Sequence, residues 1–554
     1  MATEMSIAAL LTEYLRQAGV RHVFGYPGES IVDFMEATRE GAAGGAGGPT
    51  VVAAVREASA AFMAEGAAMA TGQVGACVST LGPGSTAVLN GVASAHLDRV
   101  PLVVVSGQVD SRREQYWTHQ LVDHGRLFAP VTKLAARIEP PSADVVIRRA
   151  LRTAVAERPG AVHLTVTHDA FAKPVTGLAG APAVPPLAAP AGGLDLFGPD
   201  GGEDVPAMLA GARRPVLLAG PAAVRCGAGE ALAALAEAAG MPVVVGAMAK
   251  GVISEAHPYF AGVLDMAGHP VIWELLAGAD LIVTAGFDAV DLITPWRVAT
   301  PVLHVDTTPN TDQVYPAAAE VVGNVATALR WLAAHWKGEP RWSPLEVAGH
   351  RSRLRAAWTA GYDPAALNPS EVVTLVRAAA PAGTVMSADV GSHKIMSGQA
   401  WTTHAPRQAV ITNGLSAMGF GLPAAIGAAL ALRSGPGGAG PAVVSLCGDG
   451  GFAMTATELS VAASLGLPLV VVVFADGNLN RIVLHQQQAG VPLTATTLPP
   501  SDIPALASAL GCDGVRVDSP AALERALPDA FAPGRSRPLV IEARISTAQY
   551  EAQF

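Results

Sequence analysis

The chain has 554 residues, of which half are hydrophobic and 15% are charged, and its formal net charge is −10. This length suggests about three domains, and the net negative charge without a Lys/Arg cluster argues against a nucleic-acid-binding surface. No apolar run reaches the ~20 residues needed to cross a bilayer, the four cysteines show no pairing or metal-ligand spacing, and no signal peptide is recognisable. We therefore expect a cytoplasmic protein without membrane or nucleic-acid partners.

Three segments of the chain alternate short apolar runs with helix-length stretches. The predicted strands of the first segment are HVFGYPG (22–28), VGACVSTLGPG (74–84), PLVVVSGQ (101–108) and AVHLTVTH (161–168). Those of the second are PVLLAG (215–220), PVVVGA (242–247), LIVTAG (281–286) and PVLHVD (301–306). Those of the third are GTVMSADVG (383–391), AVVSLCGDG (442–450), PLVVVVFADG (468–477) and PLVIEAR (538–544). This alternation predicts an α/β fold with three consecutive doubly wound parallel-sheet domains.

Two stretches with little periodicity separate the segments. Residues 174–203 are dense in Pro, Gly and Ala and are predicted to be a linker, and residues 337–366 are predicted to be a second linker. The predicted N-terminal domain is then 1–173, the central domain 204–336 and the C-terminal domain 367–554.

Two apolar runs of the last segment each end on an acidic residue beside glycine. One ends in Gly448-Asp449-Gly450 and the next ends at Asp476, with a single predicted helix between them. Since ligands bind beyond the carboxyl ends of parallel strands, we expect the two aspartates to be neighbours. Their oxygens, close to the flexible backbone at Gly450 and Gly451, suit a Mg²⁺ ion that carries a diphosphate. A lone Gly-Asp-Gly is more often a plain turn, but the second acidic strand end favours a binding site.

This pattern resembles the diphosphate motif of the thiamine diphosphate-dependent enzymes, which begins with GDG and ends at a downstream Asn. The resemblance covers nearly the whole chain and is nearest to the acetolactate synthase (acetohydroxyacid synthase) group. It implies that Asp449, Asp476 and the main-chain oxygen of Asn478 hold Mg²⁺. Most members have Asn at the position of Asp476, and a carboxylate is at least as good a ligand for a hard cation. The same motif implies cofactor contacts at Gly448, Asp449, Gly450, Gly451, Asp476 and Asn478.

Two further stretches resemble cofactor-binding segments of this family. ITNGLSAMGFGLPAAIGAAL (411–430) implies that Met418 props the cofactor from below the thiazolium, with Ser416 nearby. A methionine in the hydrophobic core is the alternative for Met418. The stretch ADVGSHK implies diphosphate contacts at Gly391, Ser392 and His393.

The resemblance also implies the position of a catalytic carboxylate. VVAAVREASAAFMAEGAAMATG (51–72) matches the family segment whose Glu hydrogen-bonds the aminopyrimidine and activates the cofactor, which assigns that role to Glu57. Alternatively, Glu57 is an exposed first-turn residue favoured by the helix dipole.

Several residues are predicted to lie on the substrate side. GYPGES (25–30) resembles a loop that lies over the reaction centre, and YWTHQLVDH (116–124) resembles a loop whose Gln faces the bound intermediate. A structural imidazole is the alternative for the His in the second loop. Beyond the metal motif the chain reads ADGNLNRIVLHQQQ, where it departs from its relatives. The candidates are Gln120 and His119 as catalytic residues, and Pro27, Gly28, Glu29, Leu479 and Asn480 as substrate-loop residues.

The resemblance implies a thiamine diphosphate- and Mg²⁺-dependent enzyme. We expect it to decarboxylate a 2-oxo acid, with pyruvate as the expected substrate, and to transfer the product to a second carbonyl, as acetolactate synthases do. Alternatives are a simple 2-oxo acid decarboxylase that releases an aldehyde, and a non-catalytic nucleotide-binding protein. FAD in the central domain is possible but not favoured, because GFDAVDLITPW (286–296) looks more like the flavin-free group. The family also implies a homodimer or homotetramer with sites at the interface.

Overall fold

The backbone forms three sheets that follow one another along the chain. This computed structural model describes residues 4–43, 47–175, 177–178, 180–183, 193–198, 205–433 and 440–553. No helix within these described ranges is long and apolar enough to cross a membrane. The predicted fold class, three consecutive parallel-sheet α/β domains, is confirmed.

The N-terminal sheet has six parallel strands in the order β2-β1-β3-β4-β6-β5. The strands are β1 (His22–Gly25), β2 (Thr50–Ala53), β3 (Gly75–Ser79), β4 (Leu102–Gln108), β5 (Leu134–Arg137) and β6 (Ala161–Thr167). The helices are α1 (Ile7–Gln17), α2 (Val32–Ala43), α3 (Glu57–Thr71), α4 (Gly82–Leu97), α5 (His124–Phe128), α6 (Ala143–Val155) and α7 (His168–Phe171).

Among the described residues the central sheet has seven strands in the order β10-β9-β8-β11-β12-β13-β7, of which only β7 is antiparallel to its neighbour. The strands are β7 (Leu194–Phe197), β8 (Pro215–Ala219), β9 (Val243–Gly246), β10 (Phe260–Leu264), β11 (Leu281–Ala285), β12 (Val302–Asp306) and β13 (Ala317–Gly323). The helices are α8 (Val205–Gly211), α9 (Pro221–Arg225), α10 (Gly229–Ala239), α11 (His269–Ala277) and α12 (Val325–His335).

The C-terminal sheet repeats the N-terminal topology with six parallel strands in the order β15-β14-β16-β17-β19-β18. The strands are β14 (Val385–Ala388), β15 (Ala409–Ile411), β16 (Val443–Gly448), β17 (Val470–Ala475), β18 (Asp513–Val517) and β19 (Leu539–Arg544). After α13 (Pro344–Trp358), the helices are α14 (Pro369–Ala379), α15 (Ser392–Ala400), α16 (Gly421–Ala431), α17 (Asp449–Thr455), α18 (Leu459–Ser464), α19 (Asn480–Gln488), α20 (Ile503–Ala509), α21 (Pro520–Ala530) and α22 (Ala548–Glu551).

The two predicted linkers contain regular structure where they are described. In the linker predicted at 174–203, strand β7 pairs with β13, while residues 176, 179, 184–192 and 199–203 lie outside the described residues. In the linker predicted at 337–366, helix α13 lies on the central sheet, and a Cβ at Gly262 of β10 would lie 2.4 Å from Leu354 Cδ2. The domain boundaries themselves remain predictions.

The hydrophobic core crosses between domains. One buried cluster lies within the N-terminal domain, a second joins the N- and C-terminal domains, and a third joins the central and C-terminal domains. Helices α3 and α16 approach each other closely, since a Cβ at Gly427 would lie only 1.8 Å from the Met63 carbonyl oxygen. Glycine at such positions allows two helix backbones to approach each other.

Candidate functional site

Four strands of the C-terminal sheet end at one edge, and their loops carry all the C-terminal residues predicted for the site. These strands are β14, β15, β16 and β17. Strand β15 lies on one side of β14 and β16 on the other, so the chain connections diverge there. Such a switch point leaves a crevice beyond the strand ends, where ligands of open α/β sheets bind.

The two predicted metal-binding carboxylates lie side by side at this edge. Asp449 Oδ2 accepts hydrogen bonds from the backbone N–H groups of Asp476 (3.1 Å) and Gly477 (2.7 Å), and Asp449 Oδ1 accepts one from Gly450 (2.9 Å). Burial raises the pKa of Asp449. Burial and the adjacent Asp449 charge raise the pKa of Asp476 to about 7. Two desolvated carboxylates that repel each other are stabilised by a cation between them.

The end of this motif is held by local hydrogen bonds. Asp476 Oδ1 accepts a hydrogen bond from the backbone N–H of Asn478 at 2.9 Å, and the Asn478 side chain donates to the Asp476 carbonyl oxygen at 2.9 Å. The side chain of Asn478 is therefore used to shape the turn, which is consistent with a ligand role for its main-chain oxygen alone.

His393 lies against two glycines at the ends of β14 and β16. A Cβ at Gly391 would lie 3.0 Å from its Nδ1 atom, and a Cβ at Gly448 would lie 3.1 Å from the same atom. The imidazole is buried and stacks on Phe474 with ring centroids 5.4 Å apart, and burial lowers its pKa to about 3. Its Nε2 atom is buried without a hydrogen-bond partner among the described residues. A neutral imidazole nitrogen without a partner can donate a hydrogen bond, and a diphosphate oxygen would accept it.

The neighbouring residue connects the diphosphate segment to the substrate loop. The Ser392 hydroxyl donates to Asn480 Oδ1 at 3.0 Å, and both side chains are buried. The start of helix α15 is thereby tied to the start of helix α19. This hydrogen bond fixes the Asn480 side chain against the start of helix α15. Asn480 therefore supports the loop between β17 and α19.

Met418 and Leu479 form an apolar surface above the GDG turn. A Cβ at Gly450 would lie 2.9 Å from Leu479 Cδ2 and 3.4 Å from Met418 Cε. Ser416 has a left-handed φ of 51°, and its hydroxyl donates to the Asn413 carbonyl oxygen at 3.0 Å. Ser416 therefore shapes the loop that presents Met418.

Asp389, which was not among the predicted site residues, connects these loops. Its Oδ1 atom accepts hydrogen bonds from the backbone N–H groups of Val390 (2.7 Å), Gly419 (2.9 Å) and Phe420 (3.2 Å). It is fully buried, and burial raises its pKa to about 6. A Cβ at Gly451 would lie 2.2 Å from its Oδ2 atom. The sequence does contain a signal for Asp389, because this acidic residue directly follows a strand, as Asp449 does.

The catalytic residues predicted in the N-terminal domain meet at the turn that begins α4. Glu57 is the first residue of α3, and its carboxylate has no hydrogen-bond or ion-pair partner in the described part of the chain. A Cβ at Gly84 would lie 3.4 Å from Glu57 Oε1. The Gln120 carbonyl oxygen, at a residue with φ of 58°, accepts a hydrogen bond from the Gly82 N–H at 3.0 Å. His119 is exposed beside it.

The predicted GYPG loop lies at the same edge of the N-terminal sheet. A Cβ at Gly28 would lie 2.3 Å from Thr80 Oγ1, so only glycine allows the loop to approach the end of β3. Pro27 and Glu29, on either side, are exposed.

The N-terminal and C-terminal parts of the site are joined by hydrogen bonds at the start of α3. Among the described residues these bonds do not join the predicted catalytic and metal-binding side chains. The Glu458 carboxylate of the C-terminal domain accepts hydrogen bonds from the backbone N–H groups of Val55 (3.0 Å) and Arg56 (3.1 Å). Within the described ranges of one chain, no hydrogen bond or ion pair joins Glu57 to Met418, Asp449 or Asp476. Glu458 had no recognisable sequence signal.

The donor set suits a diphosphate held by a divalent cation. Two adjacent carboxylates, an orphaned imidazole nitrogen and glycine backbone converge on one crevice, which is the chemistry that such a group needs. No cluster of three or more His, Cys, Asp or Glu side chains with metal-binding geometry occurs among the described residues. A cation at this edge would therefore complete its coordination with backbone, diphosphate and water oxygens. Fold and site together suit an α/β protein that binds a diphosphate at this edge of the sheet.

Comparison with known families agrees with this class. The thiamine pyrophosphate enzyme N-terminal TPP binding domain matches residues 5–127, the central domain of the same enzymes matches residues 203–332, and the C-terminal TPP binding domain matches residues 389–543. The chain belongs to the thiamine pyrophosphate enzyme family, close to the acetolactate synthase group.

Individual relatives align over nearly their whole length. A "Probable 2-ketoarginine decarboxylase AruI" from Pseudomonas aeruginosa is 32% identical, over 97% of this chain and 94% of the relative. A catabolic acetolactate synthase from Raoultella terrigena is 30% identical, over 94% of this chain and 92% of the relative. An acetolactate synthase from Bacillus subtilis is 28% identical, over 93% of this chain and 89% of the relative.

Proposed function

We propose that this protein is a thiamine diphosphate- and Mg²⁺-dependent enzyme that decarboxylates a 2-oxo acid, with pyruvate as the expected donor, and joins the product to a second carbonyl compound. The observation that carries the proposal is the pair of desolvated carboxylates, Asp449 and Asp476, on adjacent strand ends beside glycine backbone. The acetolactate synthases among the relatives support the carboligation step.

We assign roles to the C-terminal residues from their positions. Asp449, Asp476 and the main-chain oxygen of Asn478 hold the cation, which balances the diphosphate charge. His393 Nε2 would supply a hydrogen-bond donor to a phosphate oxygen. Met418 and Leu479 keep water away from the reacting carbon, because their apolar side chains cover the GDG turn.

In the N-terminal domain Glu57 would hold a proton at the pyrimidine ring nitrogen. Thiamine diphosphate, when bound, supplies the electron sink that stabilises a carbanion after loss of CO₂. A half-buried carboxylate without a competing partner is free to share a proton with a ring nitrogen. The Gln120 loop, held at Gly82, faces the substrate from the same rim.

We further propose that two subunits complete each site. The exposed fraction is 47% for Tyr26 and 71% for Tyr116 on the N-terminal loops, and 47% for Ile482 and 54% for Leu493 beyond the metal-binding turn. Large exposed apolar side chains beside both halves of a site are suited to burial against a partner. In a two-fold dimer the Glu57 face of one subunit would cover the Asp449 face of the other.

A second candidate is a simple 2-oxo acid decarboxylase that protonates the same carbanion and releases an aldehyde. It is favoured by the relative named as a probable 2-ketoarginine decarboxylase, at 32% identity. The two candidates share the cofactor and differ in the final acceptor.

Product analysis separates the two candidates. Purified protein is supplied with thiamine diphosphate, Mg²⁺ and a panel of 2-oxo acids that includes pyruvate and 2-ketoarginine. Acetolactate from pyruvate supports the first candidate, and an aldehyde without a ligation product supports the second. The Glu57→Gln variant should bind the cofactor and fail to turn over either substrate; wild-type turnover in this variant would contradict both.

A further inference from the structure

A cavity lies where the three domains meet, away from the predicted cofactor site. Its volume is about 880 Å³, within the range of ~300–1,000 Å³ typical of small-molecule sites. Val74 and Pro101 line it from the amino ends of β3 and β4, whereas the cofactor residues lie at carboxyl ends. Pro221 lines it from the central domain and Ile411 from the C-terminal domain.

The lining of this cavity has an excess of positive charge in a chain whose net charge is −10. It contains four guanidinium groups and two carboxylates. These are Arg99, Arg152, Arg225 and Arg407, with Asp98 and Glu157.

The two carboxylates are already engaged. Glu157 pairs with Arg225 at 2.7 Å, and Asp98 Oδ1 accepts a hydrogen bond from the Asn413 N–H at 3.0 Å. Arg99 pairs with Asp288 at 3.2 Å. Arg152 and Arg407 have no ion-pair or side-chain hydrogen-bond partner among the residues the structure describes.

Arg407 is the more constrained of these two cations. Its backbone has a left-handed φ of 65°, and its guanidinium lies over Gly72, where a Cβ would be 2.5 Å from Nη2. The side chain is half-buried, and burial without a carboxylate beside it lowers the pKa of Arg407. Guanidinium stays protonated in proteins, so a cation is held at the cavity wall without a counter-ion from the described residues.

The remaining wall is largely apolar. The side chains that contribute include Met69, Val100, Pro221, Val224, Met248 and Ile411. We propose that this cavity is a second ligand site, which binds a small organic anion, a carboxylate or phosphate on an apolar body, with Arg407 as its anchor. A planar guanidinium binds both head groups through paired N–H donors.

The elements around the cavity connect it to both halves of the predicted active site. Helix α3 begins at Glu57 and ends beside the cavity at Gly72, and β15 leads from the cavity wall to the loop of Met418. A bound ligand would therefore hold together elements of all three domains. Since it binds the folded protein, it should also raise the melting temperature.

The test uses two probes with one apolar body, benzoate and phenyl phosphate, and the neutral analogue benzamide. Calorimetric titration is performed on the protein with saturating thiamine diphosphate and Mg²⁺. We expect at least one anion to bind and benzamide not to bind. The Arg407→Met variant should bind the preferred anion roughly ten- to a hundredfold more weakly, because a charge-assisted contact is lost. The ratio of benzoate to phenyl phosphate affinity shows which head group the site selects.

Two further variants keep the test decisive. Arg355→Met removes an exposed arginine of α13 and should leave affinity unchanged. Val224→Trp fills the cavity without changing its charge and should abolish binding. The proposal is overturned if neither anion binds the wild-type protein, or if Arg407→Met and Val224→Trp both bind as tightly as the wild type.

Discussion

Asp449 accepts three backbone hydrogen bonds and faces a second carboxylate, so removal of its side chain should strongly weaken cofactor binding. In Asp449→Ala the diphosphate charge has no cation beside it, and we expect thiamine diphosphate affinity in the presence of Mg²⁺ to fall at least ~100-fold. Isothermal titration calorimetry measures this directly. The control is Asp476→Asn, which keeps an oxygen ligand and should bind within about tenfold of the wild type. Unchanged affinity in Asp449→Ala would remove Asp449 from the metal site.

Asp389 is not predicted to contact the cofactor or the metal ion. Its replacement tests whether it positions the loops that form the site. Its replacement by Ala leaves the backbone N–H groups of Gly419 and Phe420 without their acceptor, which costs about 1–3 kcal/mol for each buried group. The Met418 loop should then shift, and we expect cofactor affinity to fall at least ~10-fold in Asp389→Ala. Asp389→Asn keeps one acceptor oxygen and should recover part of the affinity. Equal affinities in calorimetry for all three proteins would contradict a positioning role.

At the scale of elements, helices α3 and α16 depend on glycine for their close approach. A Cβ at Gly427 would lie 1.8 Å from the Met63 carbonyl oxygen, so Gly427→Ala should force the helices apart and lower the free energy of unfolding by about 1–3 kcal/mol. Gly349→Ala is the matched control, because Gly349 is in helix α13 and has no atom within 4 Å of the added Cβ. We expect this control to be stabilised by about 0.5–1 kcal/mol. Urea denaturation followed by tryptophan fluorescence measures both; equal stability of the two variants would contradict the close contact.

The strands also show which elements a sequence can reveal. All twelve runs predicted as strands form strands in the structure, and all of them lie inside their sheets. The strands that were not predicted lie at or next to the sheet edges: β2, β5, β7, β10, β13, β15 and β18. Interior parallel strands are buried on both faces and have continuous apolar runs. Most edge strands are partly exposed and lack that signal, as the burial of β2 and β5 shows.

At the scale of the whole molecule, the junction of the domains should make stability depend on pH. Asp291 accepts hydrogen bonds from the Met248 N–H (3.1 Å) and the Asn413 side chain (3.1 Å), and burial raises its pKa to about 7. The folded protein then holds a proton that the unfolded chain releases near pH 4, so the free energy of unfolding should fall as pH rises from about 4 to about 7.

Asp291→Asn removes this titration and keeps the acceptor oxygen. We expect the variant to lose less stability than the wild type between about pH 5.5 and about pH 8, as measured by urea midpoints. Asp518→Asn, at an exposed position, should behave as the wild type. If Asp291→Asn has the wild-type pH profile, the Asp291 carboxyl does not carry the effect.

The proposed shared site predicts complementation between inactive subunits. Glu57→Gln and Asp449→Ala are each expected to be inactive, and mixing them under conditions that exchange subunits forms hybrid dimers. One of the two sites in a hybrid would combine an intact Glu57 with an intact Asp449, so part of the activity should return. Each variant mixed with itself is the control. No recovery in hybrids shown to form, for example by native mass spectrometry, would place the complete site within one chain.

The sequence by itself determined the α/β class and the acidic residues at strand ends, because buried parallel strands leave continuous apolar runs that end where ligands bind. Only the tertiary structure decided how the loops support one another. Asp389 reaches Gly419 and Phe420, and Glu458 reaches the backbone before Glu57 from about 400 positions away in the chain. Such contacts depend on the packing of whole domains, and a single carboxylate in the sequence does not reveal which distant N–H group it will meet.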